Sequence, residues 1–278
     1  MIDLHTHSTA SDGTLPPAAV VRASADAGLS VVALTDHDTT AGWSEAAEAL
    51  PTGLSLVRGA ELSCTAEGIS LHLLAYLFDP ASQPLVDRLT AVREGRVSRA
   101  ARMVDLLAAD GHPVTHDQVR RIAGGTVGRP HVARALVEAG LVGSVEEAFT
   151  PEWIGSRGRY WAAKDEIDVL EAIALVRAAG GVTVFAHPGA SSRGRTVGDH
   201  VIEEMAAAGL QGLEVDHVDH EPETRQHLRD LARSLDLVVT GSSDFHGTNK
   251  TVPLGANVTA PDQLVALVDQ ATGVGVLT

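Results

Sequence analysis

Short apolar runs recur along the chain, with helical stretches between most of them. The runs cover residues 2–4, 31–34, 54–57, 71–78, 182–186, 210–215, 237–240 and, last, 274–277. Several are continuously apolar, as strands buried on both faces of a parallel sheet tend to be. Residues 17–27 read as a helix, opened by Pro16 and Pro17 and closed by Gly28. That placement of proline and glycine suits a helix start and stop. Residues 166–179, ahead of Gly180 and Gly181, read as a second helix, and 222–235 as a third. Such alternation predicts β/α units and a parallel sheet closed into a barrel.

The rhythm breaks between about 85 and 165. Helical spacing replaces it over 84–109, 117–123, 130–139 and 145–149, with apolar residues at 85, 89, 92, 100, 103 and 107 in the first. The expectation is an α/β fold in which 1–84 and 166–278 form the barrel and 85–165 is a helical insertion capping its mouth.

Composition refines this. At 44% hydrophobic but 3% aromatic, the 278-residue chain can fill a core mainly with Ala, Val and Leu. No apolar run reaches membrane-spanning length. The start lacks the basic and apolar regions of a signal peptide, and the single Cys64 forms no internal disulfide. These features lead to an expected cytoplasmic location. A net charge of −15 argues against wrapping duplex nucleic acid by charge alone. Residues 88–134 run the other way, with nine Arg against four acids, a local balance of +5. A basic patch in an acidic chain suggests a small anionic ligand, although most of those arginines also suit a solvated helix face.

The chemistry sits where the runs end. His5 and His7 follow the first run, Asp36 and His37 the second, and Glu61 the third. His187 follows 182–186, while Asp244 and His246 follow 237–240. Asp12 lies in the loop after the first run. In a parallel barrel these ends share one rim, where active sites sit. His72 breaks the rule by lying near the start of its run, so that strand is antiparallel or the side chain approaches from the side. Mixed imidazole and carboxylate donors suit Zn²⁺, Mn²⁺ or Fe²⁺. Nine donors exceed the need of one ion and predict two or three, with Glu61 as the bridge. A lone histidine is more often a satisfied polar group than a ligand, and His112, His116, His200 and His227 are read that way. His217 and His220, at another strand end, are intermediate.

At these residues the chain resembles the PHP (polymerase and histidinol phosphatase) family of metal-dependent phosphoesterases. The resembling motifs are Asp-Leu-His-Thr-His-Ser at 3–8, Leu-Thr-Asp-His-Asp at 34–38, Gly-Ala-Glu-Leu-Ser at 59–63, Ala-His-Pro at 186–188 and Ser-Asp-Phe-His-Gly at 243–247. The resemblance implies a distorted (β/α)7 barrel. It also implies two or three divalent ions held by His5, His7, Asp12, His37, Glu61, His72, His187, Asp244 and His246. Gly-Arg-Pro-His at 128–131, Glu-Ala-Phe at 147–149 and Ala-Gly-Gly at 179–181 resemble the nucleotide phosphoesterase branch. Members of that branch remove the 3′-phosphate from 3′,5′-bisphosphonucleotides, and some trim short RNA from its 5′ end. The implied partner is a small phosphorylated nucleotide or a short oligoribonucleotide. Within that reading Arg129 and His131 grip a second phosphate, His220 binds phosphate or protonates the leaving oxygen, and Asp36 orients a neighbouring ligand. Asp216 stands where a less acidic residue is expected. A histidinol-phosphate-type phosphomonoesterase, a non-catalytic metal-binding module of a larger assembly, and amide or ester hydrolysis remain alternatives. No Gly-x-Ser-x-Gly motif supports a serine hydrolase.

Overall fold

A computed structural model describes residues 1–123, 127–156, 158–163 and 166–278. The strands among them are β1 (Ile2–Asp3), β2 (Val31–Leu34), β3 (Ser55–Ala66), β4 (Ile69–Tyr76), β5 (Ile167–Asp168), β6 (Val182–Phe185), β7 (Gly212–Asp216) and β8 (Val238–Gly241). They form one sheet in the order β1-β2-β3-β4-β6-β7-β8, with β5 beside β3 off that path. The helices outside the 85–165 stretch are α1 (Pro17–Asp26), α2 (Trp43–Glu48), α7 (Val169–Ala178), α8 (Asp199–Ala208), α9 (Pro222–Ser234) and α10 (Pro261–Val268). Within that stretch lie α3 (Gln83–Ala109), which starts just before it, α4 (His116–Ala123), α5 (Arg129–Glu138) and α6 (Val145–Ala148).

The sheet curls into a nearly closed barrel. Its seam, between β8 and β1, closes beyond the strand ends through a parallel bridge from Thr6 to Phe245. There the His7 N–H donates to the Phe245 carbonyl at 2.8 Å. The segments that carry His5, His7, Asp244 and His246 therefore also complete the barrel wall. Tyr76, fully buried, crosses the interior and donates its hydroxyl to the Leu4 carbonyl at 2.8 Å.

The expected parallel sheet is corrected to a mixed one. β4 runs antiparallel to both β3 and β6, because two residues at the turn, Glu67 and Gly68, both at positive φ, fold the chain into a hairpin. This hairpin resolves the outlier: His72 enters the rim on a strand of opposite direction. It also moves Glu61, which lies inside the twelve-residue β3 rather than after a strand. The last run, 274–277, is not a strand; it contributes a single antiparallel bridge, Leu277 to Leu56. The stretch from 166 opens as β5 before α7 begins at Val169, capped by the Asp168 carboxylate. Helices α2, α8 and α10 had no counterpart in the apolar pattern.

Aliphatic burial holds the layers together. Leu62, Leu73, Ile173, Val176 and Leu213 belong to the main cluster, all at or near zero exposure. A separate cluster gathers Met103, Leu107, Val132, Leu136 and Ile154 between α3, α5 and the segment after α6. Removing the Tyr76 hydroxyl leaves the buried Leu4 carbonyl without that donor, next to the segment bearing His5. The Tyr76→Phe variant is expected to lose about 1–3 kcal/mol of stability, read as a lower urea midpoint at unchanged slope; an unchanged midpoint contradicts the cross-barrel bond.

Candidate metal centre

The nine side chains meet at the rim, and Glu61 is their hub. Its Oε2 lies 3.2 Å from His5 Nε2, 3.1 Å from His7 Nε2 and 3.2 Å from His37 Nδ1. Its Oε1 lies 2.7 Å from His72 Nδ1 and 3.1 Å from His187 Nε2. Asp244 Oδ1 faces His5, His7 and His246 at 3.5, 3.4 and 3.3 Å. Asp12 faces His7, His37 and His246 at 3.7, 3.7 and 3.4 Å. Three overlapping donor groups result: His7, Asp12, His37 and His246; His5, His7 and Glu61; and His37, Glu61 and His72.

The donor set fits divalent cations. His5 Nε2 and His7 Nε2 point at each other across 3.0 Å. Buried His37 Nδ1 and His72 Nδ1 approach Glu61 closely yet make no hydrogen bond. Nitrogens that crowd a carboxylate out of line for hydrogen bonding suit lone pairs aimed at a shared ion. Electrostatics agree. Burial by itself raises the carboxyl pKa of Asp12, Glu61 and Asp244, but the surrounding imidazoles, and Lys250 beside Asp244, hold all three well below the carboxylate range. Burial likewise disfavours a charged His7, yet Asp244 and Glu61 push it up to about 9. The pocket is rich in negative charge that calls for cations.

A supporting layer fixes the donors. Glu214, fully buried in β7, accepts from His5 Nδ1 at 3.0 Å with one oxygen and from the His187 N–H at 2.7 Å with the other. A neutral His5 thus carries its proton on Nδ1 and turns the Nε2 lone pair inward. His246 donates from Nδ1 to the Asp244 carbonyl at 2.9 Å, with the same consequence for its Nε2. Asp3 accepts from the Ser243 and Gly255 N–H groups at 3.0 and 2.9 Å, pinning the segment before Asp244. Asp38 accepts from Ser63 N–H at 2.7 Å and pairs with Arg96 at 2.7 Å. Asp38, His187 and Asp244 all adopt positive φ, at 54°, 32° and 52°, which costs each on the order of 1–3 kcal/mol. Gly13 lets the loop fold back on itself, since a Cβ there would lie 2.5 Å from the His7 carbonyl oxygen.

Other expected roles change. Asp36 accepts from Ser8 N–H, Ser8 Oγ and Ser11 Oγ at 2.8, 2.7 and 2.7 Å. It positions the loop leading to Asp12 and is not a catalytic residue in contact with the donors. His220 is corrected as an acid: Nδ1–H donates to the Val215 carbonyl at 2.8 Å, and Nε2 accepts from the Gly189 N–H at 3.0 Å. Both nitrogens are spent on backbone, and burial lowers its pKa. His131, also buried, uses Nδ1 to accept the Gly128 N–H at 2.9 Å and caps α5. His217, left intermediate by sequence, accepts from the Asp219 N–H through Nδ1 and turns Nε2 toward Asp244 at 3.5 Å. Asp216 turns outward to Arg229 at 2.8 Å. His112, His116, His200 and His227 pair with Tyr160, Asp105, Glu67 and Asp199 away from the centre.

A cavity of about 630 Å³ opens from Asp12, His37, His72 and His246 toward the helices. Arg96, Arg99, Arg129 and Arg134 also line it, with Arg96 close to the donors through Asp38. Arg193 and Lys250 line it nearer the donors, with Asp244 Oδ2 at 2.8 and 2.6 Å. Sequence reasoning missed Glu214, Asp3, Asp38, Arg193 and Lys250. An acid inside an apolar strand run, as Glu214 is, was the one available signal.

Known proteins bear on this geometry. A PHP domain model matches residues 3–112. A 5′-3′ exoribonuclease of Haemophilus influenzae is 34% identical over 95% of this chain and 96% of its own. A 3′,5′-nucleoside bisphosphate phosphatase of Chromobacterium violaceum is 35% identical over 88% of this chain and 87% of its own. A Bifidobacterium adolescentis structure, assigned as a metal-dependent phosphoesterase, superposes with a TM-score of 0.91 at 38% identity, covering 98% and 96% of the two chains. Barrel, donor cluster and relatives together set the class as metal-dependent phosphoesterase. The chain belongs to the PHP family.

Glu214 is expected to matter through His5. Glu214→Gln removes the charge behind that imidazole and is predicted to weaken Mn²⁺ binding roughly 10- to 100-fold, measured by calorimetric titration on protein whose circular dichroism is unchanged. Wild-type affinity in the variant contradicts the assignment.

Proposed function

We propose that the enzyme removes the 3′-phosphate of 3′,5′-bisphosphonucleotides. The observation that carries this is a cavity lined both by donor side chains and by Arg96, Arg99, Arg129 and Arg134. A substrate with two phosphates on one nucleoside has charge to satisfy both the donor-held cations and the arginines. The names of two relatives, a bisphosphate phosphatase and an exoribonuclease, support the same substrate class.

In this reading His5, His7, Asp12, His37, Glu61, His72, His187, Asp244 and His246 hold two or three Mn²⁺, Zn²⁺ or Fe²⁺ ions. Such ions supply a water of lowered pKa and neutralise charge on phosphoryl oxygens. The chain's own part is to place the groups. Glu61 offers one oxygen to each side of the cluster, which is what a bridge requires. Arg193 and Lys250, already at Asp244, meet the oxygens of the reacting phosphate. Residues 85–165 act as the cap, bringing the arginines over the rim.

Arg129 takes the second phosphate. Its NH1 reaches the Ile154 carbonyl at 3.5 Å and its guanidinium stacks on Phe149 at 5.2 Å, so the planar fork is held while its remaining donors face the cavity. His131 supports it by fixing the start of α5. Charge-assisted bonds of this kind are worth about 1.5–3 kcal/mol, so Arg129→Ala should raise KM for a bisphosphonucleotide roughly 10- to 100-fold and for a 3′-monophosphate far less. Phosphate release with Mn²⁺ supplied measures both. Equal effects on the two substrates, or turnover of an amino-alcohol phosphate with none of bisphosphonucleotides, overturns the proposal.

A further inference from the structure

Helix α3 belongs to two cores at once. Leu85, Leu89 and Val92 pack into the barrel cluster, whereas Ala100, Met103 and Leu107 pack into the cluster of the insertion. The stretch between them, residues 93–99, puts no large apolar side chain into either. Arg93, Arg96 and Arg99 stand there with buried Gly95 and exposed Val97. Two of these arginines converge on one residue. Arg96 pairs with Asp38 Oδ2 at 2.7 Å and also donates to Ser63 Oγ. Arg93 donates from Nη1 to the Asp38 carbonyl at 2.7 Å. From the barrel side, the Ser63 N–H and hydroxyl donate to the Asp38 carboxylate at 2.7 and 2.9 Å. The Asp38 N–H donates to the Glu61 carbonyl at 3.0 Å. Asp38 is fully buried and directly follows His37, whose backbone bridges to Glu61. Its positive φ of 54° is a conformation that such surrounding bonds must hold in place.

We propose that Asp38 is a positioning residue that ties the helical insertion to the metal donors, so that docking of the insertion and binding of the cations strengthen each other. Two bodies with separate apolar cores, joined at this point by polar bonds, can shift against one another. Moving α3 away takes Arg93 and Arg96 with it and leaves the buried Asp38 carbonyl and carboxylate short of partners, which is costly. The loop that carries His37 then loses its fixed conformation, and Glu61, bonded through its own carbonyl to Asp38, loses a neighbour. A cation held by His37 and Glu61 fixes the same loop from the other side. Its binding therefore favours the docked insertion, and by linkage the docked insertion favours the cation by the same factor. The consequence reaches the cavity. Arg96 lines it together with His37 and His72, so Asp38 sets the spacing between this arginine and the donors, whichever phosphoester is cut.

The test is calorimetric titration of Mn²⁺ into the full chain and its Asp38→Asn, Arg93→Ala and Arg102→Ala variants, each with unchanged circular dichroism. Asp38→Asn is expected to weaken Mn²⁺ binding roughly 10- to 100-fold. Arg93→Ala, which removes a side chain of α3 that touches none of the donors, is expected to weaken it roughly 2- to 30-fold. Arg102 lies further along the same helix and donates to the Ala163 carbonyl at 2.9 Å, away from Asp38. Its loss should leave Mn²⁺ affinity within about twofold. Hydrogen exchange supplies the reciprocal readout: Mn²⁺ should slow exchange across residues 100–109 in the wild type and not in Asp38→Asn. Should Asp38→Asn fail to fold, Arg93→Ala and Arg102→Ala carry the test. Wild-type Mn²⁺ affinity in Arg93→Ala, or equal weakening by Arg93→Ala and Arg102→Ala, overturns the coupling while leaving the metal centre and the substrate reading intact. A wild type that binds no Mn²⁺ overturns the metal centre and the coupling with it.

Discussion

A buried carboxylate shared by five imidazoles is the constraint on which this structure depends. Glu61 is almost fully enclosed, and each of its oxygens faces more than one histidine. An anion so placed is costly unless cations surround it. The chain answers with donors from β4, from the loops after β1, β2 and β6, and from the segment after β8. The barrel has to bring these together, and the antiparallel β3–β4 hairpin is how His72 arrives from the side a parallel strand cannot serve.

Wall and site are the same material here. Thr6 and Phe245 close the seam while their neighbours His5, His7, Asp244 and His246 face the cluster. Behind them Glu214 and Asp3, both buried, use their oxygens on imidazole and backbone donors of those segments. Loss of either loosens the seam and the donors at once. The positive φ of His187 and Asp244 is tolerated because neighbouring bonds hold both residues, His187 through Glu214 and Asp244 through its packed carboxylate. The cations Arg193 and Lys250 then turn the outer edge of the cluster from donor to receiver of anions.

Much of this was legible in the sequence, and the misses share a cause. Strand-end motifs and the loop after the first run located seven of the nine clustered side chains, because those strand ends share one rim. Glu61 was read as a strand-end residue, since apolar runs do not show that β3 continues through polar Ser63. His72 looked anomalous for the same reason. The acid role expected of His220 fails through hydrogen-bond competition, because Val215 and Gly189 take both ring nitrogens. Asp36 keeps a positioning role through Ser8 and Ser11, and His131 spends Nδ1 on the Gly128 N–H three residues back. Glu214 and Asp3 were passed over because they sit within runs read as core. Helices α2, α8 and α10 are short or follow loops without strong start signals. The arginine excess in 88–134 was read mostly as solvated surface, yet Arg96, Arg99, Arg129 and Arg134 face a cavity.

The central claim is a multi-ion centre bridged by Glu61. Its most direct test is elemental metal analysis of wild-type and Glu61→Gln protein after Mn²⁺ loading and desalting, with folding checked by circular dichroism. The account predicts two or three ions per chain in the wild type and loss of at least one in the folded variant. A wild-type stoichiometry of one or fewer, or an undiminished count in the variant, would contradict it.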